Sequence, residues 1–273
     1  MIAKCTKSDE KRILTYIGYA YPSCLYLYLD LLKYGIESSY IDVYIQTHSS
    51  NIDAVLLRYY SCLHVYSVEN SFNAKELANF FALNHFTMLY CTAETAEHVY
   101  MAFSNEIRKN AIFTRGWVSQ IQKIDHEPRG IAVAAEEQDF VQIIQLIYED
   151  DDIGRSYKYC ELSKQMQERN QEGYSRNLII KQDSRVIAHA CTNAEINGIA
   201  VVAELLVREG YRRKGFASEI WRTICSQLLS EGKEVYSIYY SEESRTLHKH
   251  IGFHEVCEWA KVVISRDSDY EQE

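Results

Sequence analysis

Apolar residues recur along this 273-residue chain at two periods, and the changes between them mark out helices and strands. In the first half, Ser8 to Tyr19 and Pro22 to Lys33 carry helical spacing. Pro22 stands where a first helical residue tolerates proline, and Gly35 where a helix stops. Tyr40 to Thr47 and Ala54 to Val68 read as strands, the second broken near Ser61. Asn73, with Glu76 three residues on, is a capping-box pattern that opens a helix to Leu83. Phe86 to Cys91 reads as a strand and Ala93 to Phe103 as a helix.

The second half is more regular. Ile131 to Ala135 reads as a strand, Gln138 to Tyr148 as a helix with Phe140, Ile143, Ile144 and Ile147 on one side, and Tyr157 to Glu172 as a second helix ended by Gly173. Three strands follow, over Ser175 to Lys181, Arg185 to Thr192 and Gly198 to Val207, with "KQDSR" and "NAEING" as turns. A helix over Gly215 to Ser230, a strand over Val235 to Tyr240, a helix over Glu242 to Ile251 and a strand over His254 to Ile264 complete the order β-α-α-β-β-β-α-β-α-β. The fold class is therefore α/β (α+β). No Gly/Ser linker is present. The charged stretch "KIDHEPRG", whose Pro128 bars a continuous helix, sets the expected boundary between a domain at 1–127 and one at 128–273.

Composition narrows the function classes. The chain is 47% hydrophobic and 25% charged, with a net charge of −9, which argues against nucleic acid as a partner. No apolar run approaches the roughly 18–20 residues that span a bilayer, so no membrane partner is expected. The start lacks a signal-peptide pattern. Eight scattered cysteines with no C-x-x-C pair suit reduced thiols in the cytoplasm. The abundant tyrosines of the first half read as a half-buried packing face.

Against the acidic whole, "REGYRRKGFASEI" gathers cations between an apolar strand and a helix. The first N–H groups of a helix lack intrahelical partners, and the macrodipole adds positive charge there. Arg212, Arg213 and Lys214 add formal charge, while Gly215 and the small Ala217 let main chain approach a ligand. Walker A fails, because Phe216 and Ala217 follow Gly215 in place of Lys and Ser/Thr. G-x-G-x-x-G is absent. R-x-x-G-x-[GA] is met by Arg212, Gly215 and Ala217.

The stretch "AELLVREGYRRKGFASEIWRTICSQLLSEGK", Ala203 to Lys233, resembles motif A of the GNAT superfamily of N-acetyltransferases. Downstream, "SEESRTLHKHIGFHEV" resembles the family's N-x-x-A-x-x-L-Y-x-x-x-G-F segment, with Leu247, Gly252 and Phe253 in register. The resemblance covers about Gly130 to Ile264. It implies a GNAT fold with a mixed, splayed sheet, preceded by a smaller α/β domain similar to a degenerate copy of that fold. It further implies acetyl-CoA as cosubstrate, with no metal. The pyrophosphate would lie on the amides of the Arg212–Ala217 turn, including Phe216, and the pantetheine along Leu205, Leu206 and Val207. The transfer would go to the amine of a small molecule or peptide, and a homodimer is left open. The alternatives are a non-catalytic CoA-binding or interaction protein on the same fold, or another acyl-CoA as donor.

Two positions depart from the family pattern. Ser241 replaces the usual Asn beside the cofactor, and His248 replaces the usual Tyr acid. His248 is either a substitute acid, as imidazolium, or a surface residue. Glu204 interrupts the apolar run "IAVVAELLV" and is either a general base or one half of an ion pair. Glu195, in the preceding turn, is a weaker candidate for the same role. Glu149 to Asp152 border the acceptor side in this resemblance and read either as a cation-attracting patch or as a solvated turn. His248, His250 and His254 do not converge as metal ligands, since the first two point away from each other on a helix.

Overall fold

The computed structural model describes residues 1–150, 154 and 159–264. These divide into two compact units. The first contains Met1–Val118, Tyr239–Ser241 and the chain from Glu255; the second contains Ser119–Ile238 and Glu242–His254.

In the first unit, β1 (Ile2–Lys4), α1 (Glu10–Ile17) and α2 (Leu25–Tyr34) precede a meander of β2 (Ile41–His48), β3 (Asn51–Tyr59) and β4 (Cys62–Tyr66). Pro22 does not open α2. It lies inside a 3₁₀ stretch over Gly18–Cys24, the geometry that can follow a tight turn without i→i−4 bonding. The expected break near Ser61 is a two-residue hairpin loop, with Tyr60 at φ 50°. Next come α3 (Ala74–Leu83), β5 (Met88–Thr92), α4 (Ala93–Ala102) and α5 (Asn105–Lys109). Asn73 caps α3 by accepting from the Glu76 amide at 3.0 Å. The Glu76 carboxylate does not reach back to Asn73. It accepts instead from the Ile2 amide and from Gln46, and so ties β1 and β2 to the helix.

β6 (Ala111–Ile121) leaves the first unit at Val118 and enters the second at Ser119. The second unit then follows the expected order: β7 (Val133–Ala134), α6 (Phe140–Tyr148), α7 (Tyr159–Gln171), β8 (Asn177–Gln182), β9 (Arg185–Ile196), β10 (Ile199–Val207), α8 (Phe216–Ser230), β11 (Glu234–Tyr239) and α9 (Glu242–Ile251). Its strands lie in the order β11-β10-β9-β8-β7. The β10–β11 pair is parallel and the others are antiparallel. α8 lays Ile220, Trp221, Ile224 and Leu228 on Ala188, Ala200 and Val202 of this sheet. On another cluster, Phe140, Ile143 and Ile147 of α6 pack with Leu162, Met166, Ile179 and Leu206.

The last strand, β12 (His254–Ile264), forms at the expected residues, but it pairs antiparallel with β5 of the first unit, Trp259 opposite Thr92 and Val263 opposite Met88. The units therefore part at Val118/Ser119 rather than at 127/128, and the C-terminal strand counts with the first unit. The stretch around Pro128, expected as the boundary, lies inside the second unit, where Arg129 Nε donates to the buried Glu219 carboxylate at 3.2 Å. No helix among the described residues is long and apolar enough to cross a membrane.

Candidate functional site

β10 is paired on both sides only over its first half. Its parallel register with β11 runs from Ile199↔Glu234 to Val202↔Ser237 and goes no further. On the other edge, β9 follows it to Val207, but with one extra residue on β10 between Ala203 and Leu206. Glu204 sits in this bulge at φ 53°, a left-handed conformation that costs a non-glycine residue of order 1–3 kcal/mol and persists only where the surroundings impose it. A bulge leaves a residue out of the ladder and bends its strand. Leu205, Leu206 and Val207 thus continue beyond the β11 register, and main-chain groups that no strand on that side takes up can hydrogen-bond an amide-bearing ligand.

Past Val207, a 3₁₀ turn over Glu209–Tyr211 leads to Gly215, the residue that caps α8. Gly215 lies at φ 83°, and no side chain caps the helix. A Cβ built on Gly215 would meet nothing within 4 Å, so the space over the helix start is open. Arg213 also takes a positive φ, 61°. Two of the expected anion-binding cations brace the turn: Arg212 Nε donates to the Val207 carbonyl at 3.0 Å and Lys214 Nζ to the Gly210 carbonyl at 2.9 Å. Arg212 also lies 3.8 Å from Asp150. Phe216 and Ala217 supply the first amides of α8. Open space, uncapped amides and exposed cations are what a phosphate group requires, and in these terms the residues fit the pyrophosphate of a CoA ester.

On the β9 side of the bulge, the Glu204 carboxylate lines a small cavity of about 20 Å³ with Cys191, Asn193, Asn177 and, from α7, Met166 and Arg169. Cys191 Sγ donates to Glu204 Oε2 at 3.3 Å. Burial raises the Glu204 pKa above the ordinary carboxylate range, while the Cys191 hydrogen bond and the Arg169 charge oppose the shift. A carboxylate whose pKa is raised in this way is a stronger base than an ordinary one. His189, Cys191 and Asn193 escaped the sequence reading. They stand at alternate positions of β9, and period-two spacing of polar residues inside the apolar run "VIAHACTN" was the signal that could have found them.

His248, expected as either a substitute acid or a surface residue, is enclosed. It is only 4% exposed, in contact with the edges of Trp221 and Phe253. Its Nδ1–H donates to the Ser244 carbonyl at 2.6 Å, which leaves Nε2 to accept from the Ser237 hydroxyl at 2.9 Å. Burial lowers its pKa to about 4, so at neutral pH the ring is an uncharged packing group with both nitrogens engaged. It is not a surface residue. Glu195 is likewise committed elsewhere: it accepts from Arg176 and Lys233, and these ion pairs hold its pKa down despite burial. Ser241, expected beside the cofactor, falls with the first unit. Of the acidic run, Glu149 and Asp150 pair with Arg208 and Arg212; Asp151 and Asp152 lie outside the described residues.

A parallel strand pair that opens at a bulge, leading into a glycine-capped helix start, defines the acyl-CoA N-acyltransferase class of fold. Residues 119–253 match the acetyltransferase (GNAT) family and belong to it. That span begins where the second unit begins and ends just before β12. Among solved structures, the chain is similar to a GNAT-family acetyltransferase from Colwellia psychrerythraea, with 11% identity and a TM-score of 0.58 over 97% of this chain and 100% of that one. It is also similar to a GCN5-related N-acetyltransferase from Sphaerobacter thermophilus, with 16% identity and a TM-score of 0.61 over 96% and 94%. A tandem GNAT protein from the clavulanic acid biosynthesis pathway matches at 9% identity and a TM-score of 0.58, over 98% and 99%. At these identities the likeness is one of fold, and it extends over both units. No curated protein matches the chain significantly.

Proposed function

We propose that the protein is an N-acetyltransferase that moves the acetyl group of acetyl-CoA to an amine. The observation that carries this is the end of β10–β11 pairing at Val202/Ser237, beside the Glu204 bulge and upstream of the uncapped α8 start. The α8 amides from Gly215 to Ala217 hold the pyrophosphate, and the edge of Leu205 to Val207 holds the amide-bearing arm. The thioester supplies an activated acyl carbon. Glu204 accepts the proton that the ammonium of the acceptor must lose, directly or through a water for which the adjoining cavity has room. The amine nitrogen then forms its bond to the acyl carbon as the C–S bond breaks, and the second proton that the nitrogen sheds ends on the departing thiolate, giving CoA thiol and the amide. A thiol of reference pKa about 8.5 is a tolerable thiolate near neutral pH, so departure places only a modest demand on an acid, and His248 is not needed for it. Free cysteines throughout support a reducing, cytoplasmic setting.

Gly215→Glu tests the donor site. It sets a carboxylate where phosphate would lie; nothing crowds the side chain there, but the φ of 83° strains any non-glycine residue by about 1–3 kcal/mol, so the CoA-induced shift is read against the variant's own unfolding temperature. CoA should raise the unfolding temperature of the wild type and not that of the variant; equal stabilisation of both would refute the assignment. A second reading, a CoA-binding protein without turnover, draws on the neutral, enclosed His248. Thioester cleavage measured across a panel of amines separates the two.

A further inference from the structure

We infer that His189, Cys191 and Glu204 form a binding site for a thiophilic divalent cation, of which Zn²⁺ is the type, on the bulged face of β9 and β10. A ring nitrogen of His189, Cys191 Sγ and a Glu204 carboxylate oxygen all lie within 4.8 Å of one another. This departs from the expectation of no metal, which was argued on different residues. It does not rest on the transferase reading, because the cluster is defined by its own geometry.

The cluster follows from the strand period and the bulge. His189 and Cys191 are two apart on β9 and share a face. In a regular ladder Ala203, the Cα partner of Cys191, would be followed by a residue on the opposite face. The extra residue rotates Glu204 back toward Cys191, to 3.3 Å.

Tetrahedral zinc with bonds of about 2.0–2.3 Å sets its ligand atoms roughly 3.5 Å apart. The Cys191–Glu204 edge already has that length, and the His189 edges need to close by little more than about 1 Å. The surroundings match the known supports of such sites. His189 is fully buried. Its Nε2 lies 3.0 Å from Asn177 Oδ1, the carbonyl-type partner that fixes the tautomer of a ligating imidazole. Its Nδ1 is buried without a hydrogen bond of good geometry, although the Glu204 main chain lies close enough to favour a proton on the ring. Such an orphan is costly in a native interior, and a cation would satisfy it.

Burial also keeps His189 neutral, with a pKa of about 3, as a ligand must be. One thiolate and one carboxylate would offset the two charges of the ion. Burial raises the Cys191 thiol and the Glu204 carboxyl above their ordinary values, so the ion would have to displace both protons; the Arg169 charge at the same cavity offsets part of that cost. Sulfur and nitrogen donors with one carboxylate select zinc-like ions over Mg²⁺ or Ca²⁺. Three protein ligands leave a fourth position for water, and two of the three, Cys191 and Glu204, line the adjoining cavity. The same carboxylate cannot hold the ion and accept an acceptor proton, so occupancy would suppress turnover.

The test titrates Co²⁺ into the full-length protein and follows the thiolate-to-cobalt charge-transfer band. One Co²⁺ per chain with that band is expected, displaced by Zn²⁺ but not by excess Mg²⁺. Cys191→Ser should abolish the band, and Asn177→Ala should keep it while weakening binding about 10–100-fold. No band in the wild type, or a band that survives Cys191→Ser through another cysteine, overturns the site. Should Cys191→Ser fail to fold, Glu204→Gln on the half-buried bulge must lower Co²⁺ affinity at least about tenfold; unchanged affinity overturns the site equally. Failure here leaves CoA stabilisation untouched, so the donor site is judged separately.

Discussion

Replacing His248 by Gln removes one proton-binding group from the interior while keeping an uncharged, hydrogen-bonding side chain. In the folded protein the imidazole has a pKa of about 4, against about 6.5 in an unfolded chain. The unfolded state therefore takes up this proton first. The contribution of His248 to stability is complete above about pH 6.5 and is lost as pH falls toward about 4. Integrated between about pH 7.5 and about pH 5, the loss comes to about 2 kcal/mol, an order-of-magnitude figure that assumes no residual structure around the unfolded imidazole. At the higher pH the variant should be the less stable protein, because the bonds to Ser237 and Ser244 and the contacts with Trp221 and Phe253 are disturbed. At the lower pH the two should converge. Urea unfolding followed by tryptophan fluorescence at both pH values gives the comparison directly, and other titrating groups, the buried His189 included, cancel in the difference. Parallel loss of stability in the two proteins would show that His248 is solvated or charged in the native state. The imidazolium reading would then be open again.

Glu204→Gln should lower kcat by about 10²–10⁴-fold with CoA affinity little changed, measured by steady-state kinetics and calorimetry; a wild-type kcat would remove Glu204 as the base. Glu204→Gly relieves both the positive φ and the buried carboxyl, and should raise stability by up to about 1 kcal/mol in urea unfolding while losing turnover. Calorimetry should find one CoA site per chain, since no R-x-x-G-x-[GA] turn into a helix occurs in the first 123 residues. Gly116→Ala should destabilise strongly, by more than about 1–3 kcal/mol, because its Cβ would stand 2.3 Å from the Tyr239 carbonyl oxygen; an unchanged unfolding midpoint would contradict that packing.

Local signals carried much of the second unit. The α8 helix, the Gly215 cap and α9 at Glu242–Ile251 could be read directly, because helical spacing and an αL glycine are properties of neighbouring residues. The order of strands and helices along the second unit could be read too. β6, with eleven residues, went unread: "AIFTRGWVSQI" lacks clean alternation, and its strand conformation comes from pairing in the sheet rather than from local propensity. The placement of β12 beside β5 joins residues more than 160 positions apart, and no local pattern encodes such a pairing.

The candidate groups divide in the same way. Glu204 stood out as a carboxylate in an apolar strand, yet the bulge that turns it onto Cys191 is a register shift between two strands and exists only once both are paired. His248 is the opposite case. Its position in the motif suggested a proton donor, and its enclosure by Trp221, Phe253, Ser237 and Ser244 makes it neutral. Motif spacing determines which residue stands where along the chain. Whether that residue carries a charge depends on desolvation and on partners distant in sequence, and these the tertiary structure alone decides.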